Sequence, residues 1–301
     1  MLSGLTRLYQ TPLRVAFAGL SLTGTAHCEQ HHAFGSSMAL RPFLLLQSRD
    51  LDDPMREHEI DCFRRHLGVS EAELVTVNVV ERLPTREELN RAAGLLMGGS
   101  GDYSCLDDVP WIHRFIEFAR VAVLGEGRPT FAACFGFQIL VRAMGGEMIR
   151  DPANMEIGTI PLDLTPAAQH DPIFSRLPRT FDAQVGHQDR ATAYVPGVEN
   201  LASSAACPLH AFRVGNLPVW ATQFHPELDA ADVRLRYFRY LAKYKPGSTE
   251  DSDHEAFLNG LRPSPHASGM LRHFAEWLRR RDAETTRPVI RPSNGHVAMS
   301  L

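Results

Sequence analysis

A cysteine at the junction of a short strand and a helix constrains this chain more than any other feature. The run Pro-Thr-Phe-Ala-Ala-Cys-Phe-Gly-Phe-Gln occupies Pro129–Gln138 and places Cys134 at that junction. The apolar residues before the cysteine are typical of a buried strand, and Ile139 and Leu140 after it begin the apolar face of a helix. Gly136 removes a side chain where the turn is crowded. A strand that runs directly into a helix predicts an α/β fold.

The position of Cys134 changes the chemistry of its sulfur. Unpaired backbone N–H groups and the helix dipole at a helix N-terminus favour negative charge, so a thiolate forms more readily there. A lone cysteine in an apolar run is more often an inert core residue. The residues that accompany Cys134 therefore decide whether it is a nucleophile.

A second motif, Phe-His-Pro-Glu at Phe224–Glu227, follows another apolar run. His225 and Glu227 lie two residues apart at the end of a predicted strand, where alternate side chains project to the same side. A carboxylate that orients an imidazole, which in turn activates a nucleophile, is the arrangement of a catalytic triad. The two motifs predict Cys134 as nucleophile, His225 as base and Glu227 as the orienting carboxylate.

Elsewhere, short apolar runs alternate with helical segments, as in proteins built on a parallel sheet. Before the cysteine, strands are predicted at 42–47, 74–80 and 94–97, and helices begin at Pro54, after a capping box at Thr85–Glu88, and at Pro110. After residue 146, strands are predicted at 157–164, 180–185, 201–205, 211–214 and 218–224, and helices at 229–244, 255–261 and 267–281. The pattern predicts a mostly parallel central sheet flanked by helices, with a small β-rich extension and C-terminal helices.

With its Cys-x-Gly-x-Gln elbow and later His-Pro-Glu, the chain resembles the class I glutamine amidotransferases. The closer likeness is to stand-alone members similar to the amidotransferase part of GMP synthase, a group that also includes γ-glutamyl peptidases. The resemblance covers roughly residues 40 to 240 and implies a flavodoxin-like fold. Its supporting stretches are Leu95–Ser104, Val109–Trp111, Glu156–Gly158, Asp171–Phe174, Gly186–Asp189 and Ala221–Glu227.

The resemblance also implies roles for further residues. Backbone N–H groups of Phe135 and Gly99 are expected to bind the oxyanion that forms when a thiolate attacks an amide. Gln138 and Gly98 are expected to help hold the substrate, and the turn with His187 and Asp189 is expected to line the pocket for its α-amino and α-carboxylate groups. Gly98 and Gly99 also fit an ordinary turn, and His187 and Asp189 equally fit a role as turn residues only.

Two residues near the elbow depart from the family pattern. Many members have glycine two residues before the cysteine and histidine two or three residues after it, whereas this chain has Ala132 and Phe137. Ala132 predicts slightly tighter packing under the elbow. Phe137 is expected to remove a polar group beside the pocket, which leaves the acceptor and the coupling to a synthase open.

Composition excludes several functional classes. A formal net charge of −4 gives no electrostatic reason for nucleic-acid binding. Five cysteines at unpaired spacings argue against a disulfide framework and suit a reducing compartment. No apolar stretch reaches the roughly 18 to 20 residues of a membrane span. We therefore expect a cytoplasmic protein with neither cofactor nor metal; the His27–His32 run lacks a second ligand cluster.

The chain is expected to divide into three parts. Residues 1–37 form a leader, residues 38–245 the amidotransferase domain, and residues 246–301 a helical extension with a disordered tail. The leader is either a weak targeting segment or, as we favour, a poorly ordered dispensable extension that ends before Met38. The residues at 245–249 are expected to form a linker.

Three functions fit these motifs. No phosphate-binding loop of an ATP-pyrophosphatase domain is found in the sequence, so we do not expect a complete GMP synthase. The first hypothesis is a glutamine amidotransferase that gives ammonia to a separate synthase. The second is a γ-glutamyl peptidase or hydrolase that acts without a partner, and the third is a non-catalytic regulatory protein on the same scaffold.

Overall fold

A computed structural model describes residues 41–192, 197–240 and 251–285 of the chain. The predicted leader at 1–37, the linker at 245–249 and the tail beyond residue 285 lie outside these residues. The division into three parts therefore stays a prediction.

Five parallel strands form the part of the sheet that carries the elbow. Its five strands run in the order β2, β1, β3, β4, β11, and every neighbouring pair is parallel. Four of these strands are buried along their whole length, as expected of parallel strands covered by helices on both faces, whereas the edge strand β2 is partly exposed. The five strands are β1 (Phe43–Gln47), β2 (Leu74–Asn78), β3 (Gly94–Met97), β4 (Thr130–Ala133) and β11 (Val219–Thr222).

The β-rich segment after residue 146 continues the same sheet. Beyond β11 the order is β10, β9, β6, β7, with antiparallel neighbours throughout, which makes a mixed nine-stranded sheet. A separate two-stranded sheet pairs β5 with β8. These strands are β5 (Met148–Arg150), β6 (Glu156–Leu164), β7 (Thr180–His187), β8 (Asp189–Ala191), β9 (Val198–Ser203) and β10 (Ala211–Val214).

Helices flank the sheet largely where the sequence predicts them. The Thr85 capping box forms as predicted, with the Thr85 side chain accepting a hydrogen bond from the Glu88 N–H. The helix that begins at Pro110 changes to π-helical winding over Ala119–Gly125. The helices are α1 (Met55–Leu67), α2 (Arg86–Arg91), α3 (Pro110–Phe118), α4 (Phe135–Ala143), α5 (Ala230–Arg239), α6 (Asp251–Asn259) and α7 (Pro265–Thr285).

The last helix completes one face of the core. Phe274 of α7 lies against three aromatic side chains of the sheet, with ring centroids 6.3 Å from Phe43, 5.6 Å from Phe131 and 5.9 Å from Trp220. Phe274 is fully buried. Helix α7 therefore covers the sheet on this face as a structural layer of the fold.

No helix in the described part of the chain is long and apolar enough to cross a membrane.

Candidate active site

Cys134 lies on a strained turn at the carboxyl end of β4, an interior strand of the sheet. It joins β4 to α4 with φ +50° and ψ −101°, and it is the one non-glycine residue at positive φ among the residues described. Such a conformation costs energy and is maintained by its surroundings. Gly136 supplies part of that support, because a Cβ there would lie 2.6 Å from Met97 Cβ and 2.7 Å from Met97 O. Helix α4 can start this close to β3 only with glycine at this position.

The predicted base and carboxylate form a buried pair beside the cysteine. His225 Nδ1 lies 2.7 Å from Glu227 Oε1. Burial disfavours the charged form of His225, but the negative charge of Glu227 and the Cys134 sulfur outweigh it and raise the pKa of His225. Burial likewise opposes ionisation of Glu227, yet His225 and Arg236 hold the pKa of that carboxyl below its ordinary value. The arrangement favours an imidazolium next to the cysteine at neutral pH.

Two further polar side chains lie against the predicted triad. Arg236 of α5 is buried with Nη1 3.6 Å from Glu227 Oε1, so it adds positive charge behind the carboxylate. Gln223 lies just past β11, and its Nε2 is 3.8 Å from the Cys134 Sγ. An N–H directed at sulfur stabilises negative charge there.

A polar cavity of about 300 Å³ opens in front of Cys134. Its wall includes three carboxylates, a guanidinium and hydroxyl groups, and Phe135 closes it near the cysteine. Arg150 spans two of the carboxylates, with ion pairs of 3.5 Å to Asp107 and 3.4 Å to Asp189. The lining therefore offers both signs of charge, as a zwitterionic amino-acid head requires.

The residues predicted to hold substrate fall into two groups. Gln138, His187 and Asp189 border the cavity. The Gln138 Nε2 donates to the Asp189 carbonyl oxygen at 3.4 Å, and the Ser104 hydroxyl donates to the Asp189 carboxylate. Gly98 does not border the cavity: a Cβ there would lie 2.8 Å from Glu59 Oε1, which gives this glycine a packing role.

The two predicted oxyanion donors differ in their surroundings. Phe135 is the first residue of α4, so its N–H has no acceptor within the helix. The Gly99 N–H donates instead to Glu59 Oε1 at 3.2 Å. Gly99 nevertheless lies at the triad, since a Cβ on it would be 3.1 Å from His225 Cε1 and 3.8 Å from Cys134 Cβ. In this structure the Gly99 N–H is directed at a buried carboxylate.

The expectation that Phe137 lies beside the pocket is wrong. Its side chain is fully buried and packs against Phe212, with ring centroids 5.0 Å apart. The first turn of α4 directs Gln138 to the cavity and Phe137 to the core.

Four residues lie at the site although the sequence did not predict them there: Glu59, Arg150, Gln223 and Arg236. Glu59 gives no local signal, because it sits on a helix far from either motif and reaches Gly99 only through the fold. Gln223 lies two residues before His225, in a stretch that supports the family resemblance. That position is the sequence signal that could have indicated a site role for Gln223.

Relatives of known name match part of this sequence. The chain is 26% identical over 171 residues to one subunit of the glutamine-hydrolysing GMP synthase of Methanocaldococcus jannaschii, covering 57% of this chain and 82% of that protein. It is 30% identical over 143 residues to the GMP synthase of Thermosipho melanesiensis, a match that spans 47% of this chain and only 25% of the relative.

Solved structures share the fold. A glutamine amidotransferase from Methylobacillus flagellatus superposes with a TM-score of 0.61 at 21% identity, over 87% of this chain and 100% of that one. A glutamine amidotransferase from Thermotoga maritima gives the same TM-score at 18% identity, over 79% and 97%. The family model "Glutamine amidotransferase class-I" matches residues 61–240. The chain therefore belongs to the class I glutamine amidotransferase family.

Proposed function

We propose that this protein hydrolyses the side-chain amide of glutamine through a γ-glutamyl thioester on Cys134. The observation that carries the proposal is the buried His225–Glu227 pair, 2.7 Å apart, next to a cysteine on a positive-φ elbow. Nucleophile, base and orienting carboxylate come from two chain segments that meet at the end of the parallel sheet.

The chemistry follows from the charges at the site. The Cys134 thiolate attacks the δ-carbonyl carbon, and the carbonyl electrons move to oxygen. Protonated His225 gives its proton to the departing nitrogen, so that ammonia leaves and the thioester remains. Neutral His225 then takes a proton from water, which attacks the thioester and releases glutamate. Glu227 stabilises the imidazolium at each stage where it forms.

Oxyanion stabilisation in this proposal comes first from the Phe135 N–H at the N-terminus of α4. The Gly99 N–H joins it when the peptide turns from Glu59 toward the reacting oxygen, a movement that exchanges one hydrogen bond for another. The zwitterionic head of the substrate binds in the cavity, with its amino group toward Asp189 and its carboxylate toward Arg150.

A separate ammonia-accepting synthase is the partner we favour. The matched relatives include two proteins named as subunits of GMP synthase, whose lengths this chain covers by 82% and 91%. In this proposal the charged groups of the cavity bind only the amino-acid head, so the same thioester chemistry also serves a γ-glutamyl peptidase or hydrolase. The leaving group, ammonia or an amine, distinguishes the two.

The test is glutamate release from glutamine and from a panel of γ-glutamyl compounds, with products identified by mass spectrometry. We expect glutamine hydrolysis that Cys134→Ala abolishes; full activity in that variant overturns the proposal. Much faster cleavage of γ-glutamyl peptides than of glutamine would favour the γ-glutamyl peptidase or hydrolase hypothesis.

A non-catalytic protein on this scaffold would not react with substrate-like electrophiles. We expect diazo-oxo-norleucine to label wild-type protein at Cys134 and to leave the Cys134→Ala variant unlabelled. Cys105→Ser, which alters a different buried cysteine, serves as the control and should still be labelled at Cys134. Absence of labelling in the wild type would favour the regulatory hypothesis.

A further inference from the structure

Four metal-binding side chains meet in the interior outside the triad. Glu156, His187, Cys207 and His210 each offer one ligand atom, and these atoms lie within 4.8 Å of one another. We call them the Glu156 cluster. From these residues we infer a structural zinc site.

Three segments bring the cluster together. Glu156 of β6 and His187 of β7 are direct partners across an antiparallel strand pair, where side chains on one face lie closest. Cys207 and His210 form a Cys-x-x-His sequence in the turn that leads into β10. Both pairs contribute ligand atoms to the same buried space. Two cross-strand neighbours and a Cys-x-x-His sequence together form a ligand set that suits zinc.

The ligand set and the spacing both fit zinc. One thiolate, two imidazoles and one carboxylate make a four-coordinate set with no open position, as in closed structural sites. Zinc–ligand distances of about 2.0 to 2.3 Å place ligand atoms of a tetrahedron about 3.3 to 3.8 Å apart. The His187 Nε2 and the His210 Nε2 lie 3.1 Å and 2.7 Å from Glu156 Oε2, so modest side-chain movements produce the tetrahedron.

The contacts of His187 are the most specific indication of a metal ion. Its Nδ1 lies 3.2 Å from the Asp189 carbonyl oxygen, which can only accept, so Nδ1–H donates. In that tautomer Nε2 has a lone pair, and the lone pair faces a carboxylate oxygen of Glu156. A cation between the two atoms makes this contact favourable. A histidine that donates its other N–H to a backbone carbonyl is also the usual outer arrangement of a metal ligand.

The remaining contacts support a site in the fold interior. His187, Cys207 and His210 are all buried, with His210 fully so. The His210 Nδ1 has no hydrogen-bond partner among the described residues, so Nε2 is its one ring nitrogen with a polar neighbour there. Ser204 donates to Glu156 Oε1 at 2.7 Å and so holds the carboxylate from the opposite side.

The zinc would brace the active-site wall without touching the reacting atoms. His187 borders the catalytic cavity, and the His210 carbonyl oxygen accepts a hydrogen bond from the Gln223 N–H at 2.7 Å. The Gln223 side chain reaches the Cys134 sulfur. The four ligands are therefore positioning residues, and their role stands whichever γ-glutamyl substrate the protein takes.

The primary test measures metal in the full chain. Protein produced with zinc in the medium and then desalted is analysed by elemental mass spectrometry. We expect about one zinc ion per chain in the wild type, in line with a closed four-ligand site. Cys207→Ser and His210→Gln are each expected to reduce that content several-fold. Cys62→Ser is the matched control, because this buried cysteine belongs to a different His–Cys–Asp group and should leave zinc unchanged.

Cobalt reconstitution is a second test, and its first readout, the spectrum of the wild type, does not require any variant to fold. We expect the visible absorption of tetrahedral cobalt and a thiolate-to-cobalt charge-transfer band in the near ultraviolet. The band should disappear in Cys207→Ser and persist in Cys62→Ser. Circular dichroism shows which variants are folded.

Three outcomes overturn the inference. One is a wild-type protein that takes up neither zinc nor cobalt, which would leave the cluster as a hydrogen-bond network only. Another is zinc that folded Cys207→Ser and His210→Gln proteins retain in full. The third is zinc that Cys62→Ser loses, which would put the metal in the other group.

Discussion

At the scale of single residues, the predicted triad is buried with its charges compensated. Glu227 is fully buried, yet His225 and Arg236 keep its pKa low. Its second oxygen, Oε2, has no hydrogen-bond partner among the residues described. The carboxylate is thus held by a 2.7 Å contact to His225 and by charge, and we expect its effect on His225 to depend on that contact.

Replacement of Glu227 by glutamine tests that contact. The amide keeps the shape of the side chain but removes the charge that raises the pKa of His225. We expect kcat for glutamine hydrolysis to fall about 100-fold or more, the range of a positioned acid–base group. Glu126→Gln, at a surface carboxylate far from the site, is the control. Unchanged kcat in Glu227→Gln would contradict the orienting role.

The same pair makes stability depend on pH with a defined sign. The pKa of His225 is raised, so its contribution is complete below the ordinary value of 6.5 and is lost as pH rises toward the higher folded value. The pKa of Glu227 is lowered, so its contribution is complete above the ordinary value of 4.5 and is lost as pH falls.

We therefore expect the free energy of unfolding to differ most between wild type and Glu227→Gln between pH 4.5 and 6.5. The difference should shrink as pH rises through and above neutrality. Urea denaturation at a series of pH values measures it. If the difference in unfolding free energy grew from pH 6.5 upward, attraction between charged His225 and Glu227 would not be its source.

At the scale of elements, the elbow depends on how closely α4 approaches β3. Gly136 sits where any Cβ would meet Met97, including its backbone oxygen at 2.7 Å, and backbone cannot move aside cheaply. The contact couples the start of α4, and with it the Phe135 N–H, to the loop that follows β3. The Gly136 N–H also donates to the Gly98 carbonyl oxygen at 3.1 Å.

Gly136→Ala is expected to destabilise the protein by about 1 to 3 kcal/mol, the usual cost of overpacking. Gly269→Ala, in α7, is the matched control: the nearest atom to its Cβ would be 4.0 Å away, so the new methyl group fits. That change should stabilise by about 0.5 to 1 kcal/mol, because alanine loses less conformational freedom in a helix. If urea denaturation showed the same change in unfolding free energy for both variants, the close contact with Met97 could not be the cause of the destabilisation by Gly136→Ala.

At the scale of the whole molecule, the sheet needs α7 to be covered. The helix buries Phe274 and Leu278 against strands from both the beginning and the end of the domain. The salt bridge between Arg176 and Glu276, at 2.8 Å, ties α7 to the β-rich half, though its partial exposure limits its energy. Without this helix, the apolar side chains of Phe43, Phe131 and Trp220 would face water.

Phe274→Ala is expected to cost about 3 to 5 kcal/mol of unfolding free energy, as buried phenylalanines do when truncated. Phe238→Ala is the control, because that ring is 49% exposed on α5, and we expect an effect within about 0.5 kcal/mol. Thermal or urea denaturation measures both. A small effect of Phe274→Ala would mean that α7 covers the sheet only loosely.

Much of the architecture follows from short-range patterns. Apolar runs predicted the strands, the Thr85 capping box predicted the start of α2, and the strand–turn–helix pattern predicted the elbow. Boundaries were less accurate: the strand predicted to end at Val80 ends at Asn78 in β2. The π-helical winding after α3 has no local signature in the sequence, since it depends on how the helix packs.

The sequence by itself was enough to recognise the family and to predict the nucleophile, base and carboxylate, because two short motifs with local geometry contain all three residues. Tertiary structure alone decided what surrounds them. Glu59 reaches the Gly99 N–H from a helix 40 residues away, and Arg236 approaches Glu227 from α5. Long-range packing also sends Phe137 to the core and gathers the Glu156 cluster. Most of these contacts join segments far apart in the sequence, and only the folded chain brings their atoms close together.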